Sequence, residues 1–222
     1  MVSLLKAKSF IRSGEGSIAS YSYTDIAEGI GYSTFYGAIV AHSATGGGAN
    51  IVEPILINFT DYNAQGTVVF NEGVSIPSAG TVMIDKDFDL TPFTFPKTIK
   101  GVAIVNFSGG YHSSYAGTQN GYYKIIIRKV SGGVETDLVT TYTKTIGSDT
   151  DVYESFTVPL AIPITNFKSG DILRLTIQGI ASEYTDATAN TMRIYCDPMN
   201  STPPSGASFT YLKFRVPFRI DV

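Results

Sequence analysis

The chain has 222 residues, of which 43% are hydrophobic and 16% are charged, and its formal net charge is −3. A weakly acidic chain without a run of basic residues does not attract phosphate over a distance, which argues against nucleic acid as a direct partner. The single cysteine, Cys196, excludes an intrachain disulfide, so packing alone must stabilise the fold.

The first residues do not have the pattern of a targeting segment. Two leucines are followed by Lys6 and Lys8, which interrupts the stretch of about 7 to 15 apolar residues that a secretory signal needs. No stretch reaches the roughly 18 apolar residues of a membrane span. We therefore expect no export by a signal peptide and no membrane partner. Residues 1–16 are predicted to form an arm that docks on a neighbouring subunit or frays, and residues 17–222 to form one domain.

Strand signatures of period two recur along the chain, whereas helical periodicity is nearly absent. The shorter signatures are "GYSTFYGAIVA", "ANIVEPILINF", "GTVVF" and "GTVMIDKDFDL". The stretch "TIKGVAIVNF" (98–107) is apolar on both faces, which is typical of a strand in the centre of a sandwich.

The strongest hairpin signal is "YYKIIIRKVSGGVETDLVTTYT" (122–143). Gly132 and Gly133 can supply the two positive φ angles of a type I′ turn. With these glycines at the tip, the predicted register pairs Tyr123 with Tyr142, Ile127 with Leu138, and Arg128 with Asp137. Apolar side chains then meet apolar ones and opposite charges meet across the strands, which favours this register.

Three later stretches predict further strands. Residues 152–162 and 212–222 alternate apolar and other side chains, and "NTMRIYC" (190–196) predicts a further strand between them. "NFKSGDILRLTIQG" (166–179) predicts a turn at Gly170 followed by a half-buried strand.

Prolines within two of these stretches predict where the strands lie in a sheet. Proline donates no hydrogen bond to a neighbouring strand, so Pro159 and Pro163 predict an edge strand. Pro217 predicts either an edge position or a bulge.

Roughly nine or ten strands without helical crossovers predict an all-β fold. Two antiparallel sheets packed as a jelly-roll β-sandwich, with little helix, protect most strand edges. Residues 42–50, 108–121 and 197–208 are predicted to be long loops at the ends of the sandwich, where binding and assembly contacts usually lie.

Patterns for catalysis are weak. A hydrolytic triad can be drawn around His112 with Ser113 or Ser114, but a histidine beside serines is expected by chance in a serine-rich chain. No nucleophile-elbow motif occurs. We therefore expect the chain not to be an enzyme and to use no cofactor, and a hydrolase is the enzymatic alternative.

Three aspartates in "DKDFDL", Asp85, Asp87 and Asp89, resemble the start of a calcium loop. The loop fails because Leu90 stands where glycine is needed and Pro96 where glutamate is needed. The favoured interpretation is a strand end with three carboxylates on its solvent face. A calcium site completed by carboxylates from elsewhere is the alternative.

Aromatic residues are the remaining candidates for contacts, since the chain has 14 Tyr and 13 Phe but no Trp. Tyr111, Tyr115 and Tyr122 lie in or beside the loop predicted for residues 108–121. Aromatic rings stack on sugar rings, and tyrosine is also enriched at subunit interfaces. Subunit contact is the favoured interpretation for these three tyrosines, and glycan contact is the alternative.

Three stretches together resemble a known class of protein: "DKDFDLTPFTFPKTIKGVAIVNFSGG", "GYYKIIIRKVSGGVETDLVTTYT" and "VPLAIPITNFKSGDILRLTIQG". In strand order, turn placement and Tyr/Thr/Ile-rich composition, residues 82–222 are similar to the jelly-roll structural proteins of tailed bacteriophages and environmental viruses. The resemblance implies a capsid, decoration or tail accessory protein without catalytic residues, assembled in the host cytoplasm. It also implies a symmetric homo-oligomer whose partners are copies of itself and other virion proteins. A carbohydrate-binding or lectin-like module, used for host attachment, is the alternative function.

Overall fold

The structure is a computed structural model that describes residues 9–11, 18–20, 30–42, 51–58, 69–76, 79–113, 119–148, 152–182, 185–200 and 203–219. Within these ranges the chain forms fourteen β-strands and no helix, and so no helix long and apolar enough to cross a membrane. The strands are β1 (Ser9–Ile11), β2 (Ile18–Ser20), β3 (Ile30–His42), β4 (Ile51–Ile57), β5 (Val69–Ile76), β6 (Val82–Leu90), β7 (Lys97–Ser113), β8 (Gln119–Ser131), β9 (Val134–Tyr142), β10 (Ile146–Ser148), β11 (Val152–Phe167), β12 (Ile172–Ala181), β13 (Thr185–Tyr195) and β14 (Lys213–Arg219).

The predicted all-β sandwich of jelly-roll type is confirmed. The number of strands is higher than the nine or ten predicted, partly because β1, β2 and β10 have only three residues each. Such short segments carry too few alternating side chains to give a strand signature in the sequence.

The strands form one hydrogen-bonded sheet that folds into two packed layers. The first layer has the strand order β9-β8-β12-β6, with β10 also on β8. In the second layer, β7 pairs with β11 along one side and with β14 and β13 along the other, and β3 and β5 extend it. Strand β4 connects the layers, because it runs antiparallel to β3 and pairs in parallel with the end of β6.

The hydrophobic core lies between the two layers. The ring of Phe107 in β7 meets the edge of Tyr123 in β8 with centroids 5.2 Å apart. The hydroxyl of Tyr123 donates to the backbone carbonyl oxygen of Arg193 in β13 over 2.6 Å. A Cβ atom on Gly179 in β12 would lie 2.8 Å from the sulfur of Met192 in β13, so the layers approach closely at this glycine. Burial of each large apolar side chain here contributes about 1.5 to 3 kcal/mol.

Strand β11 shows how the alternating pattern produces the sandwich. Phe156, Val158, Leu160 and Ile162 are buried, while the residues between them are exposed. Among the strands of the described ranges, β11 pairs only with β7, so the edge position predicted from Pro159 and Pro163 is confirmed. Pro163 lies in a register shift between Ile162 and Thr165, where its missing donor breaks no ladder bond.

Pro217 lies in an interior strand rather than in an edge strand. Strand β14 lies between β3 and β7, and its pairing with β7 shifts register between Arg215 and Phe218. The bulge alternative predicted for Pro217 is therefore confirmed, and the edge alternative is wrong.

The β8–β9 hairpin confirms the predicted turn and part of the predicted register. Gly132 and Gly133 have φ angles of 57° and 81°. Arg128 lies opposite Asp137 as predicted, but the register shifts between the Ile127 and Arg128 pairs, so Val139 rather than Leu138 lies opposite Ile127. Three pairs further from the turn, Lys124 rather than Tyr123 lies opposite Tyr142.

The predicted loop at residues 108–121 is wrong at both ends. Strand β7 continues to Ser113, and β8 begins at Gln119. Gly109 and Gly110 lie within β7 and are closely packed. A Cβ atom on Gly109 would meet the ring of Tyr123, and one on Gly110 would meet the ring of Tyr153. The described residues of the 197–208 stretch form no strand, as predicted, whereas residues 43–50 lie outside the described ranges.

The N-terminal residues are described only in part. Strand β1 pairs with β2, and β2 pairs with β3. The division into an arm at residues 1–16 and a domain at 17–222 stays a prediction.

Candidate functional site

The outer face of the first layer carries side chains in rows that cross four strands. Because side chains alternate along each strand, residues paired across β6, β12, β8 and β9 point to the same side. Two of these rows contain polar and charged residues. The charged row is Asp89, Arg174, Arg128 and Asp137, and the aromatic row is Asp85, Gln178, Lys124 and Tyr142.

The charged row is a closed set of ion pairs. Arg174 binds Asp89 through two parallel hydrogen bonds of 2.6 and 2.7 Å and Glu135 through a third of 2.6 Å. Arg128 donates to Asp137 over 2.7 Å. The hydrogen bond that Arg174 donates to Asp89 raises the pKa of Arg174 above its already high value; partial burial opposes this effect and the nearby carboxylates add to it. These pairs fix the register of four strands.

The three aspartates of "DKDFDL" lie on this face within β6, which supports the interpretation as solvent-facing carboxylates. Asp87 accepts hydrogen bonds from the Thr176 hydroxyl at 2.5 Å and from Arg174 at 3.0 Å. Asp85 accepts one from the Gln178 amide at 2.9 Å. In the part of the chain that the structure describes, no three His, Cys, Asp or Glu side chains are grouped to hold a metal ion.

The aromatic row ends in an exposed ring. Tyr142 is 57% exposed, and the ring of Tyr122 contacts it edge-on with centroids 5.8 Å apart and planes at 68°. Lys124 forms no ion pair with any described residue. The row therefore offers solvent a flat aromatic surface beside an amide, a carboxylate and an ammonium group.

The three tyrosines predicted as contacts are in different environments. Tyr111 is only 1% exposed and belongs to the core, so its ring is not on the surface. The cause is the continuation of β7, which turns Tyr111 inward in step with Phe107. Tyr115 lies outside the described residues, and Tyr122 is half-buried against Tyr142. A contact role for these residues stays a prediction, and Tyr122 is the one placed at the outer face.

Two residues of the aromatic row, Tyr142 and Gln178, were not singled out from the sequence. The predicted hairpin register put Tyr142 opposite Tyr123, which points into the core. Only the bulge near Leu138 moves Tyr142 to the outer face. The polar position of Gln178 in the alternating pattern of "LRLTIQG" is the one signal for these residues in the sequence.

The outer face of the second layer has a different character. Val102 is 42% exposed, Ile104 is half-buried, and their partners on β11, Ala161 and Pro159, are exposed. These four residues form an apolar strip. The basic residues Lys100, Lys213 and Arg215 border this strip, and the Arg215 guanidinium lies 5.2 Å from the ring centroid of Tyr32.

Acidic residues are absent from the strand segments around this strip, although Glu72 in β5, Glu154 in β11 and Asp186 in β13 lie elsewhere in the same layer. Residues 30–42, 97–113, 157–167 and 213–219 include five Lys and Arg residues and no Asp or Glu. Since the whole chain carries a net charge of −3, its acidic side chains are concentrated elsewhere.

No family model and no curated protein matches the chain. Solved structures do match it. An α-amino acid ester hydrolase is 13% identical with a TM-score of 0.51, and the match covers 84% of this chain and 36% of that one. An aminopeptidase from a marine sediment archaeon of the Thaumarchaeota is 9% identical with a TM-score of 0.48, covering 82% and 36%. The VP2 subviral particle of infectious bursal disease virus is 10% identical with a TM-score of 0.32, covering 82% and 42%.

The first of these likenesses shows the fold and corrects one prediction. The chain spans about a third of the length of the first structures that it matches. The prediction that the chain is not an enzyme, drawn from its weak catalytic patterns, is wrong, because the same fold occurs within an ester hydrolase. The side chains of His112 and Ser113, on which the hydrolase alternative depends, lie outside those that the structure describes.

Proposed function

We propose that this chain is a structural protein of a virus particle, from a tailed bacteriophage or an environmental virus, that builds or decorates the particle through contacts between subunits. The observation that carries the proposal is the outer face of the second layer, where the apolar strip of Val102, Ile104, Pro159 and Ala161 is bordered by basic side chains. The sequence resemblance described above supports a place in the virion.

The composition of this face fits a protein contact. The centres of interfaces are depleted in charge, while their rims are polar and enriched in arginine. Here the strip is uncharged and Lys100, Lys213 and Arg215 lie around it. A neighbouring copy or another virion protein with acidic surface would complement both parts, and charge complementarity fixes the orientation of such contacts.

Replacement of Val102 by aspartate tests this proposal. The side chain is 42% exposed, so the variant should fold, but a carboxylate in the strip would oppose the desolvation that an interface needs. We expect sedimentation velocity at micromolar concentration to show an oligomer for the native chain and at least a tenfold weaker association for Val102→Asp. Co-purification with intact particles should fall in parallel.

Val134→Asp is the matched control, since this valine is 67% exposed at the β8–β9 tip on the other layer. It should associate like the native chain. A native chain that stays monomeric and is absent from particles, or equal association of both variants, would contradict the proposal.

A further inference from the structure

The aromatic row has the features of a small-molecule binding surface. Tyr142 lies at the end of β9, where pairing with Lys124 on β8 fixes its backbone. Tyr122 meets its ring edge-on. A ring that is 57% exposed and yet held in place presents a flat apolar surface whose ordering costs little on binding.

The polar members of the row complement hydroxyl groups. The hydrogen bond between Gln178 and Asp85 uses one amide hydrogen and one carboxylate oxygen, Oδ2. It orients both groups and leaves the Gln178 carbonyl oxygen and Asp85 Oδ1 as acceptors. Lys124 adds an ammonium donor in the same row. Sugar hydroxyls both donate and accept hydrogen bonds, so they can satisfy all three groups.

The dimensions of the row fit more than one sugar ring. Adjacent strands lie about 4.8 Å apart, so a row across four strands extends over roughly 14 Å. A ligand along the row would contact Tyr142 at one end and Asp85 at the other, because Gln178 and Lys124 occupy the two central strands.

The charge of the face selects among sugars. Its outward side chains include five carboxylates, Asp85, Asp87, Asp89, Glu135 and Asp137, but only three basic groups, Lys124, Arg128 and Arg174. Both arginines are engaged by carboxylates of the charged row. An anionic glycan would meet net repulsion here, whereas a neutral one would not.

We propose that the aromatic row binds a neutral hexose-containing glycan, with one sugar ring stacked on Tyr142 and its hydroxyls bonded to Lys124, Gln178 and Asp85. This site lies on the opposite layer from the apolar strip. It therefore does not depend on the assembly role proposed above, and the two can fail separately.

Titration calorimetry of the full chain with cellotriose, maltotriose and galactotriose tests this proposal. We expect at least one trisaccharide to bind with a Kd of about 0.1 to 1 mM, which is typical of a small open contact. Tyr142→Ala should weaken that binding at least tenfold, while Tyr142→Phe should stay within about threefold because the ring face is retained. Gln178→Ala should weaken it about fivefold.

Phe95→Ala is the matched control, since Phe95 is an exposed aromatic residue, 67% accessible, in the β6–β7 connection outside the row. Its affinity should equal that of the native chain, and circular dichroism should be the same for all variants. Absence of binding by all three trisaccharides would overturn the proposal. So would equal affinity of Tyr142→Ala and the native chain, or a change in sedimentation mass on Tyr142→Ala, which would make the row a subunit contact.

Discussion

The carboxylate of Asp171 illustrates how a single residue fixes a turn. Asp171 is almost fully buried and pairs with Lys129 of β8 over 2.8 Å. It also accepts a hydrogen bond from the backbone N–H of Lys168 over 2.7 Å. Lys129 in turn donates to the carbonyl oxygen of Asn166 over 2.7 Å. The turn that precedes β12 is thereby tied to the neighbouring strand of the first layer.

These contacts favour the ionised form of Asp171. The hydrogen bond from Lys129, then the one from the Lys168 backbone and one from Ser131, lower the pKa of Asp171 from 3.8 to about 2. A carboxyl group whose pKa is lower in the folded protein stabilises the fold fully above about pH 4. That contribution is lost as the pH falls towards 2.

Replacement of Lys129 by methionine should therefore destabilise the protein in a pH-dependent way. At pH 7 the variant leaves a buried carboxylate without its cation, and we expect its free energy of unfolding to fall by about 1 to 3 kcal/mol. At pH 2, where Asp171 is partly protonated, the loss should be smaller. Urea unfolding at the two pH values measures both differences.

Lys168→Met is the matched control for this prediction. The side chain of Lys168 is exposed and only its backbone N–H binds Asp171, so the free energy of unfolding should change by less than about 0.5 kcal/mol. An equal loss for Lys129→Met at both pH values would show that the ion pair is not the cause.

At the scale of the element, the β8–β9 hairpin combines a predictable turn with an unpredictable bulge. Two adjacent glycines predict the position of the turn, because only residues that tolerate positive φ suit a type I′ turn. The bulge near Leu138 could not be predicted from the sequence, because the residues on either side of it show the ordinary alternation of a strand. Its effect is large, because a shift of one residue exchanges the two faces of the strand.

Substitutions of Gly133 test the backbone geometry of the turn. Its φ angle is 81°, and no atom lies within 4 Å of a Cβ placed there, so any penalty for a side chain comes from backbone strain alone. Gly133→Ala should lower the free energy of unfolding by about 1 to 2 kcal/mol. Gly133→Asn should cost less than half as much, because asparagine adopts positive φ more readily.

Thermal unfolding of the two variants and the native chain measures the difference. Equal stability of all three would contradict the turn geometry. A larger loss for asparagine than for alanine would do the same.

At the scale of the whole molecule, the core joins both layers, and Cys196 is a reporter of its integrity. The thiol is fully buried in the core cluster, directly after β13. Burial raises the pKa of Cys196, so the thiol is both inaccessible and un-ionised while the layers are packed. Reaction with a thiol reagent then requires the layers to separate.

We expect the native chain to react with a disulfide reagent at pH 8 at least about 100-fold more slowly than a free thiol. In increasing urea, labelling should follow the loss of β-sheet measured by circular dichroism, because both report the same cooperative opening. Rapid, stoichiometric labelling without denaturant would show that the core around Cys196 opens locally.

In the part of the chain that the structure describes, apolar side chains fill the space between the two layers of the sandwich. A domain of this fold also occurs within an ester hydrolase, so the fold alone does not assign a function. The function must therefore be argued from the two outer faces, which differ in charge and in aromatic content.

The sequence by itself determined the all-β class, the edge position of β11, the Gly132–Gly133 turn and the inward side chains of β11 and β14. Each of these follows from period-two alternation or from the backbone preferences of glycine and proline, which are local properties. Only the tertiary structure decided that Tyr111 is buried and that Tyr142 is exposed. Those outcomes depend on how far β7 continues and on one bulge in β9, and both are set by packing between strands that are distant in the sequence.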